Sequence, residues 1–205
     1  MANPTPSESR NKATDSGGAA RAPRLRRALL PVALIAAFGI ALPLGLKLVL
    51  EHGDHSGAPG AKLQAGMRVP EFQAPRLGGG QWSRSDRDPK VLLVNFWATW
   101  CEACIVEMPS LVEVYRDFHD RGFEVLAVSV DESAEPVGPL AEKLDMRFPI
   151  ALDPQGKLSE IFGVSAIPLT VVLDRQGKAL LIHRGERDWN SSRFRSQLET
   201  WLAAE

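Results

Sequence analysis

The sequence predicts an α/β fold. A central mixed sheet is flanked by helices, a small β-hairpin stands in front of it, and one transmembrane helix precedes both. Three observations predict this. Apolar runs of strand length alternate with segments of helical periodicity between residues 91 and 162. Two further strand-like runs, joined by a tight turn, and a last helix then close the chain. Residues 28–50 are apolar but for Lys47, a length that spans a bilayer.

A chain of 205 residues suits one ordinary domain with appendages, and its 44% hydrophobic content supports a real core. Charge is uneven. Residues 1–50 carry seven Lys and Arg against two Asp and Glu, and residues 51–205 carry 17 against 23. The acidic body argues against a nucleic-acid partner. Residues 1–27 are rich in Ser, Pro, Ala, Gly and Arg without periodicity, and are expected to form a disordered tail. Residues 28–50 read as a transmembrane signal-anchor helix, in which Pro31, Gly39, Pro43 and Gly45 are tolerable. Arg21, Arg24, Arg26 and Arg27 flank its first end, so the positive-inside rule puts the N-terminus in the cytoplasm and the body outside. A cleaved leader would have a shorter apolar region with a small-x-small site close behind. The first such segment is at residues 57–61, which favours an uncleaved anchor. Residues 51–65 read as a linker. Its His52 and His55 have metal-compatible spacing, but paired linker histidines are more often solvated.

The body is read over residues 66–205. Two β-like pieces at residues 71–74 and 81–83, with Gly78, Gly79 and Gly80 between them, make the leading hairpin. Residues 91–96 are a buried strand. An amphipathic helix then opens at Cys101. With Cys104 as zero and about 100° per residue, Met108, Leu111, Val112, Tyr115 and Phe118 fall within about 80° of it. Glu102, Glu113, Asp117 and Asp120 fall opposite. Pro109 sits inside this helix and removes one hydrogen bond. Residues 123–130 are a second buried strand, 137–144 a short helix, 148–152 strand-like and 158–162 helical. Residues 169–173 are a third core strand, and residues 174–177 turn the chain into a strand over 179–184. Ser191 or Ser192 caps a last helix through Leu202, with Phe194, Leu198, Trp201 and Leu202 at helical spacing.

The two cysteines, Cys101 and Cys104, form a C-x-x-C where the first strand turns into the first helix. The first turn of a helix has unpaired N–H groups and the positive end of the macrodipole. A thiolate at Cys101 is stabilised by both and is nucleophilic at neutral pH. Cys104, one turn on, can attack a mixed disulfide formed at Cys101 and release the partner. Zinc would need four ligands and no second C-x-x-C exists, so neither metal nor cofactor is expected. A purely structural bridge over so short a loop would remove little unfolded-chain entropy. Cys101 and Cys104 are therefore read as a redox-active disulfide. Glu102 disfavours the Cys101 thiolate by its charge, which favours electron donation. Glu107 lies at about −60°, on the shoulder of the apolar stripe, where partial desolvation raises its pKa. From there it could relay a proton to or from Cys104; the competing reading is a solvated helix glutamate. Trp97 and Trp100 are expected around the site, with Trp100 either shielding the disulfide or packing in the core. His119 and His183 read as ordinary surface residues.

FWATWCEAC resembles a thioredoxin-type active site, and the longer WCEACIVEMP resembles the TlpA/ResA/CcmG group. These are membrane-tethered thiol:disulfide oxidoreductases facing the bacterial periplasm or outer cell surface. The resemblance extends over about residues 66–204, and it implies a thioredoxin-like sandwich with an added N-terminal hairpin. It implies that Pro168 is cis and lies against the disulfide, although X-Pro bonds are normally trans. Ile167 would then offer its backbone to an extended substrate, with Trp100 beside it. An acidic residue stands at the place of Glu107 in that group. Thioredoxin instead has a buried aspartate where this chain has Asn95, and a proline where it has Ala103. Residues 184–189 resemble a turn in TlpA-like proteins. Peroxiredoxins begin similarly, but their P-x-x-x-T-x-x-C site would need Pro and Thr where Val94 and Ala98 stand.

The expected protein is an enzyme, an anchored reductant of exported protein disulfides at the bacterial cytoplasmic membrane, with its domain in the periplasm. The resemblance offers two substrate classes, apocytochrome c and copper-site assembly proteins of cytochrome oxidase. It also implies recharging by a membrane thiol carrier of CcdA/DsbD type. A general periplasmic disulfide reductase or oxidase is an alternative. A non-catalytic peptide-binding module of the same fold is another.

Overall fold

The computed structural model describes residues 63–204. The tail, the predicted transmembrane helix at residues 28–50, and His52 and His55 lie outside the described residues. Among the described residues no helix is long and apolar enough to cross a membrane.

The elements are β1 (Gln73–Pro75), β2 (Gln81–Ser83), β3 (Val91–Trp97), α1 (Glu102–Phe118), β4 (Phe123–Ser129) and α2 (Val137–Lys143). There follow β5 (Ile150–Leu152), α3 (Lys157–Phe162), β6 (Leu169–Asp174), β7 (Ala179–Arg184) and α4 (Ser192–Ala203). β1 and β2 form the predicted hairpin, with the first strand starting two residues later and ending one residue later than expected. The other five strands form one mixed sheet in the order β5-β4-β3-β6-β7. β3 pairs parallel with β4 and antiparallel with β6.

The central place of β3 explains its sequence. All seven residues, VLLVNFW, are buried, because a central strand covered on both faces must be apolar on both. Its alternate side chains divide between two cores. Leu92, Val94 and Phe96 meet Phe72 and Trp82 of the hairpin region and Leu158 and Phe162 of α3. Val91, Leu93 and Trp97 meet Met108, Leu111 and Phe118 of α1 and Phe194, Leu198 and Leu202 of α4. Leu63, assigned from the sequence to the linker, is buried in the first of these cores.

The hairpin is tied to the sheet by Arg84, which donates to the carbonyls of Asp174 (2.8 Å) and Arg175. Those carbonyls lie in the β6–β7 turn. Gly177 there has φ +81°, and a Cβ on it would meet Arg84 Nη1 at 3.0 Å and the Val69 carbonyl at 3.2 Å. Glycine is needed on both counts.

The register places the site. Asn95 stands opposite Ala127 on β4 and Thr170 on β6, and Phe96 stands opposite Leu169. The loops leaving β3 and β4 and the segment entering β6 therefore meet at one end of the sheet. In α/β sheets that end is where sites are built.

Candidate active site

Cys101 is the N-cap of α1, with extended backbone (φ −92°, ψ 101°). Its sulfur takes the place of the usual capping oxygen and accepts the Cys104 N–H at 3.2 Å. The two cysteines are joined as a disulfide, with their Cα atoms 5.2 Å apart. Cys101 is 9% exposed and Cys104 is fully buried. Of the two cysteines only Cys101 is reachable from solvent, the access that attack at Cys101 with resolution by Cys104 would require.

The loop between β3 and Cys101 is held by a group absent from the sequence reading. Asp131, buried after β4, accepts the Thr99 N–H (3.1 Å) and the Thr99 hydroxyl (2.7 Å). The Ser129 hydroxyl donates to Oδ2, the oxygen that takes the Thr99 N–H, at 2.8 Å, and the Thr99 hydroxyl is on Oδ1. One carboxylate thus fastens the active-site loop to the next strand. The signal was an aspartate directly after an apolar strand, which reads equally well as a loop residue.

The two tryptophans divide. Trp97 is buried in the same core as both cysteines. Trp100, beside Cys101, is 70% exposed, which removes its core-packing reading. The Ile167–Pro168 bond is cis, as the resemblance implied. Pro168 is buried, and it immediately precedes the β6 residue that pairs with Phe96. Among the described residues, neither the N–H nor the C=O of Ile167 takes a hydrogen-bond partner. That backbone is free to pair with an extended chain.

Glu107 departs most from expectation. The buried face of α1 comprises Cys104, Glu107, Met108, Leu111, Val114, Tyr115 and Phe118. Val114 is buried and Val112 only partly, so the stripe is centred nearer Glu107 than the wheel implied. Glu107 is not on a shoulder but inside the face, 2% exposed. The solvated-glutamate reading is therefore wrong. Three donors hold its carboxyl. Asn95 Nδ2 donates to Oε1 at 2.8 Å. The Trp189 indole N–H and the Arg187 backbone N–H donate to Oε2 at 3.0 and 3.2 Å. Burial nevertheless dominates and pushes the pKa up from the ordinary 4.5 to about 7. The donors pull it down, and the charge of Glu186 adds a smaller upward push. A carboxyl poised near neutral pH, one helical turn past the buried cysteine, suits proton transfer during exchange. Glu102 is exposed at the start of the helix, as its phase predicted.

Sequence reasoning missed the partners of Glu107. Asn95, read as a neutral replacement for an acid, is the residue that grips the acid on the neighbouring helix. Asn95 also donates to Thr170 Oγ1 at 2.9 Å, bridging β3 to β6. The turn at residues 184–189, without an assigned role, delivers Arg187 and Trp189. The backbone N–H of Trp189 is pinned to Ser110 Oγ at 3.0 Å, one residue past Pro109 on α1. His183, read as a surface residue, packs its ring edge-on to Trp189 at 5.8 Å. His119 packs against Tyr115 at 4.7 Å and is half-buried. Among the described residues no group of three or more His, Cys, Asp or Glu could hold a metal.

Comparison with known proteins adds independent support. A family profile described as AhpC/TSA family matches residues 65–180. Thiol-disulfide oxidoreductase ResA of Bacillus thuringiensis subsp. konkukian is 31% identical over 141 residues, covering 69% of this chain and 78% of the relative. Thioredoxin-like protein YneN of Bacillus subtilis is 35% identical over 126 residues, covering 60% of this chain and 73% of the relative. Among solved structures, one from Chlorobium tepidum described as a thiol:disulfide interchange protein DsbE superposes with a TM-score of 0.63 at 29% identity. It covers 69% of this chain and all of that structure.

Proposed function

Since the chain belongs to the AhpC/TSA family, as a thiol:disulfide oxidoreductase of ResA/DsbE type with a thioredoxin-like fold, we propose that it works as a reductant of disulfides in exported proteins. The observation that carries this reading is a pair of carboxylates on the cysteine helix, exposed Glu102 beside Cys101 and buried Glu107 behind Cys104. Negative charge near the dithiol withholds the thiolate stabilisation that makes an oxidant of such a site.

The reduced Cys101 thiolate attacks one sulfur of a substrate disulfide. A Cys101–substrate disulfide forms and the other substrate sulfur leaves as a thiolate. Glu107 takes the Cys104 proton, and Cys104 attacks the Cys101 sulfur. The second substrate thiolate leaves, and the Cys101–Cys104 bond has formed. Two electrons have passed to the substrate. Trp100, Ile167 and Pro168 form the edge on which the substrate strand lies. A membrane thiol carrier of CcdA/DsbD type returns the two electrons.

Residues 28–50 anchor the domain in the cytoplasmic membrane and hold it on the periplasmic side. The apolar length and the flanking arginines support this. Substrates are apocytochrome c before haem attachment or copper-site assembly proteins. Both present cysteine pairs that must be reduced before they take a cofactor. The test mixes the reduced full chain with three oxidised peptides: a C-x-x-C-H peptide, a copper-site cysteine pair and an unrelated disulfide. Reduction of one of the first two at least about tenfold faster than the third is expected, which is about 1.4 kcal/mol of discrimination. Equal rates would assign a general reductase. Net oxidation of reduced peptides would overturn the proposal.

A further inference from the structure

We infer that the Arg187 guanidinium is a positioning residue for Glu107, acting through the indole of Trp189. Its Cζ lies 4.9 Å from the Trp189 ring centroid and 5.2 Å from that of Phe194. The two rings are themselves edge-to-face at 5.0 Å. Among the described residues the guanidinium takes no carboxylate, although Glu186 and Asp188 are its chain neighbours. It is half-buried on aromatic faces instead. Burial, with the nearby charge of Arg193, lowers its pKa, but a guanidinium stays protonated. A surface arginine free to choose would remain in water, so this arrangement calls for a use.

The use lies in what the ring holds. A cation over an indole face draws electron density from the ring and makes its N–H a stronger donor. That N–H donates to Glu107 Oε2 at 3.0 Å. The backbone N–H of Arg187 reaches the same oxygen at 3.2 Å. The residue therefore acts twice on one oxygen, and both actions favour the ionised carboxylate. The other groups facing Glu107 are few. Glu186 opposes ionisation by its charge. β3 and β6 present only neutral Asn95 and Thr170, α1 contributes Cys104, and His183 of β7 stands behind Trp189. Through the indole, Arg187 offsets part of the upward push of burial and Glu186, and so lowers the pH at which Glu107 gives up its proton.

This inference rests on the proton-relay reading of Glu107, but its test does not read exchange. The full chain is kept oxidised, so that no thiol titrates. The Glu107 side-chain carboxyl is followed by 13C NMR against pH, assigned by its absence in Glu107→Gln. Arg187→Met is expected to raise the midpoint by roughly half a pH unit, and Arg187→Lys by less. Trp189→Phe keeps a ring and removes the N–H, and should also raise the midpoint. In the Trp189→Phe background, Arg187→Met should add nothing, because the path through the indole is gone. An unmoved midpoint in folded Arg187→Met, or shifts that simply add in the double variant, would overturn the inference. Should the methionine variant not fold, the same cycle with the neutral Arg187→Gln decides by the same two criteria. Failure of Glu107→Gln to slow exchange would defeat the relay and leave the titration result standing.

Discussion

Glu107→Gln removes one titratable group from the buried face of α1 and keeps its shape. The carboxyl stands at about 7 in the fold against an ordinary 4.5. That gap of about 2.5 units corresponds to on the order of 3 kcal/mol. The folded protein keeps a proton that the unfolded chain has released between pH 4.5 and 7. The contribution of this group to stability is therefore complete below pH 4.5, lost as pH rises to about 7, and flat above. The glutamine variant has no such loss. In urea unfolding across pH, the stability of the variant relative to the parent should rise by about 3 kcal/mol between pH 4 and pH 8. Glutamine fits the site. Its oxygen accepts from Arg187 and Trp189, and its amide faces Asn95, whose Oδ1 has no partner among the described residues and can turn to accept. Disulfide exchange near pH 7 should slow by on the order of 10²-fold in the same variant. A stability difference that does not vary with pH would refute the burial argument. An unchanged pH–rate profile would refute the relay.

Cys104→Ala should trap a mixed disulfide through Cys101 and stop turnover, read by non-reducing electrophoresis; Cys101→Ala should trap nothing, because Cys104 is fully buried. Trp100→Ala should slow exchange with protein disulfides several-fold and leave the thermal midpoint unchanged, since the ring is 70% exposed. Asp131→Ala strands the donors of Thr99 and Ser129 and should lower unfolding free energy by about 1–3 kcal/mol in urea, with slower exchange because the loop before Cys101 is released.

The elements with long apolar runs or clear periods were legible: β3, β4, β6 and α1 all stand within a residue or two of their predicted ends. So was the chemistry of Cys101 and Cys104, because it depends on local spacing and on a helix start. Glu107 was only half legible. A helical wheel gives angles but not the direction from which neighbours pack, and the neighbours here come from β3 and from a turn about 80 residues away. Trp189 and Arg187 were illegible for that reason. Their run resembles a loop motif, and nothing local ties it to α1. Asn95 was legible as buried but not as a partner, since the contact to Glu107 crosses from sheet to helix. Asp131 carries no periodic signal at all.

The most direct measurement is the reduction potential of the Cys101–Cys104 pair in the full chain, read by tryptophan fluorescence against thiol buffers of defined potential. Carboxylates on the cysteine helix predict a value near or below about −250 mV, close to thioredoxin and fit to reduce exported disulfides. A value near about −120 mV would mark a site that stabilises its reduced form, and would contradict the role given to Glu102 and Glu107.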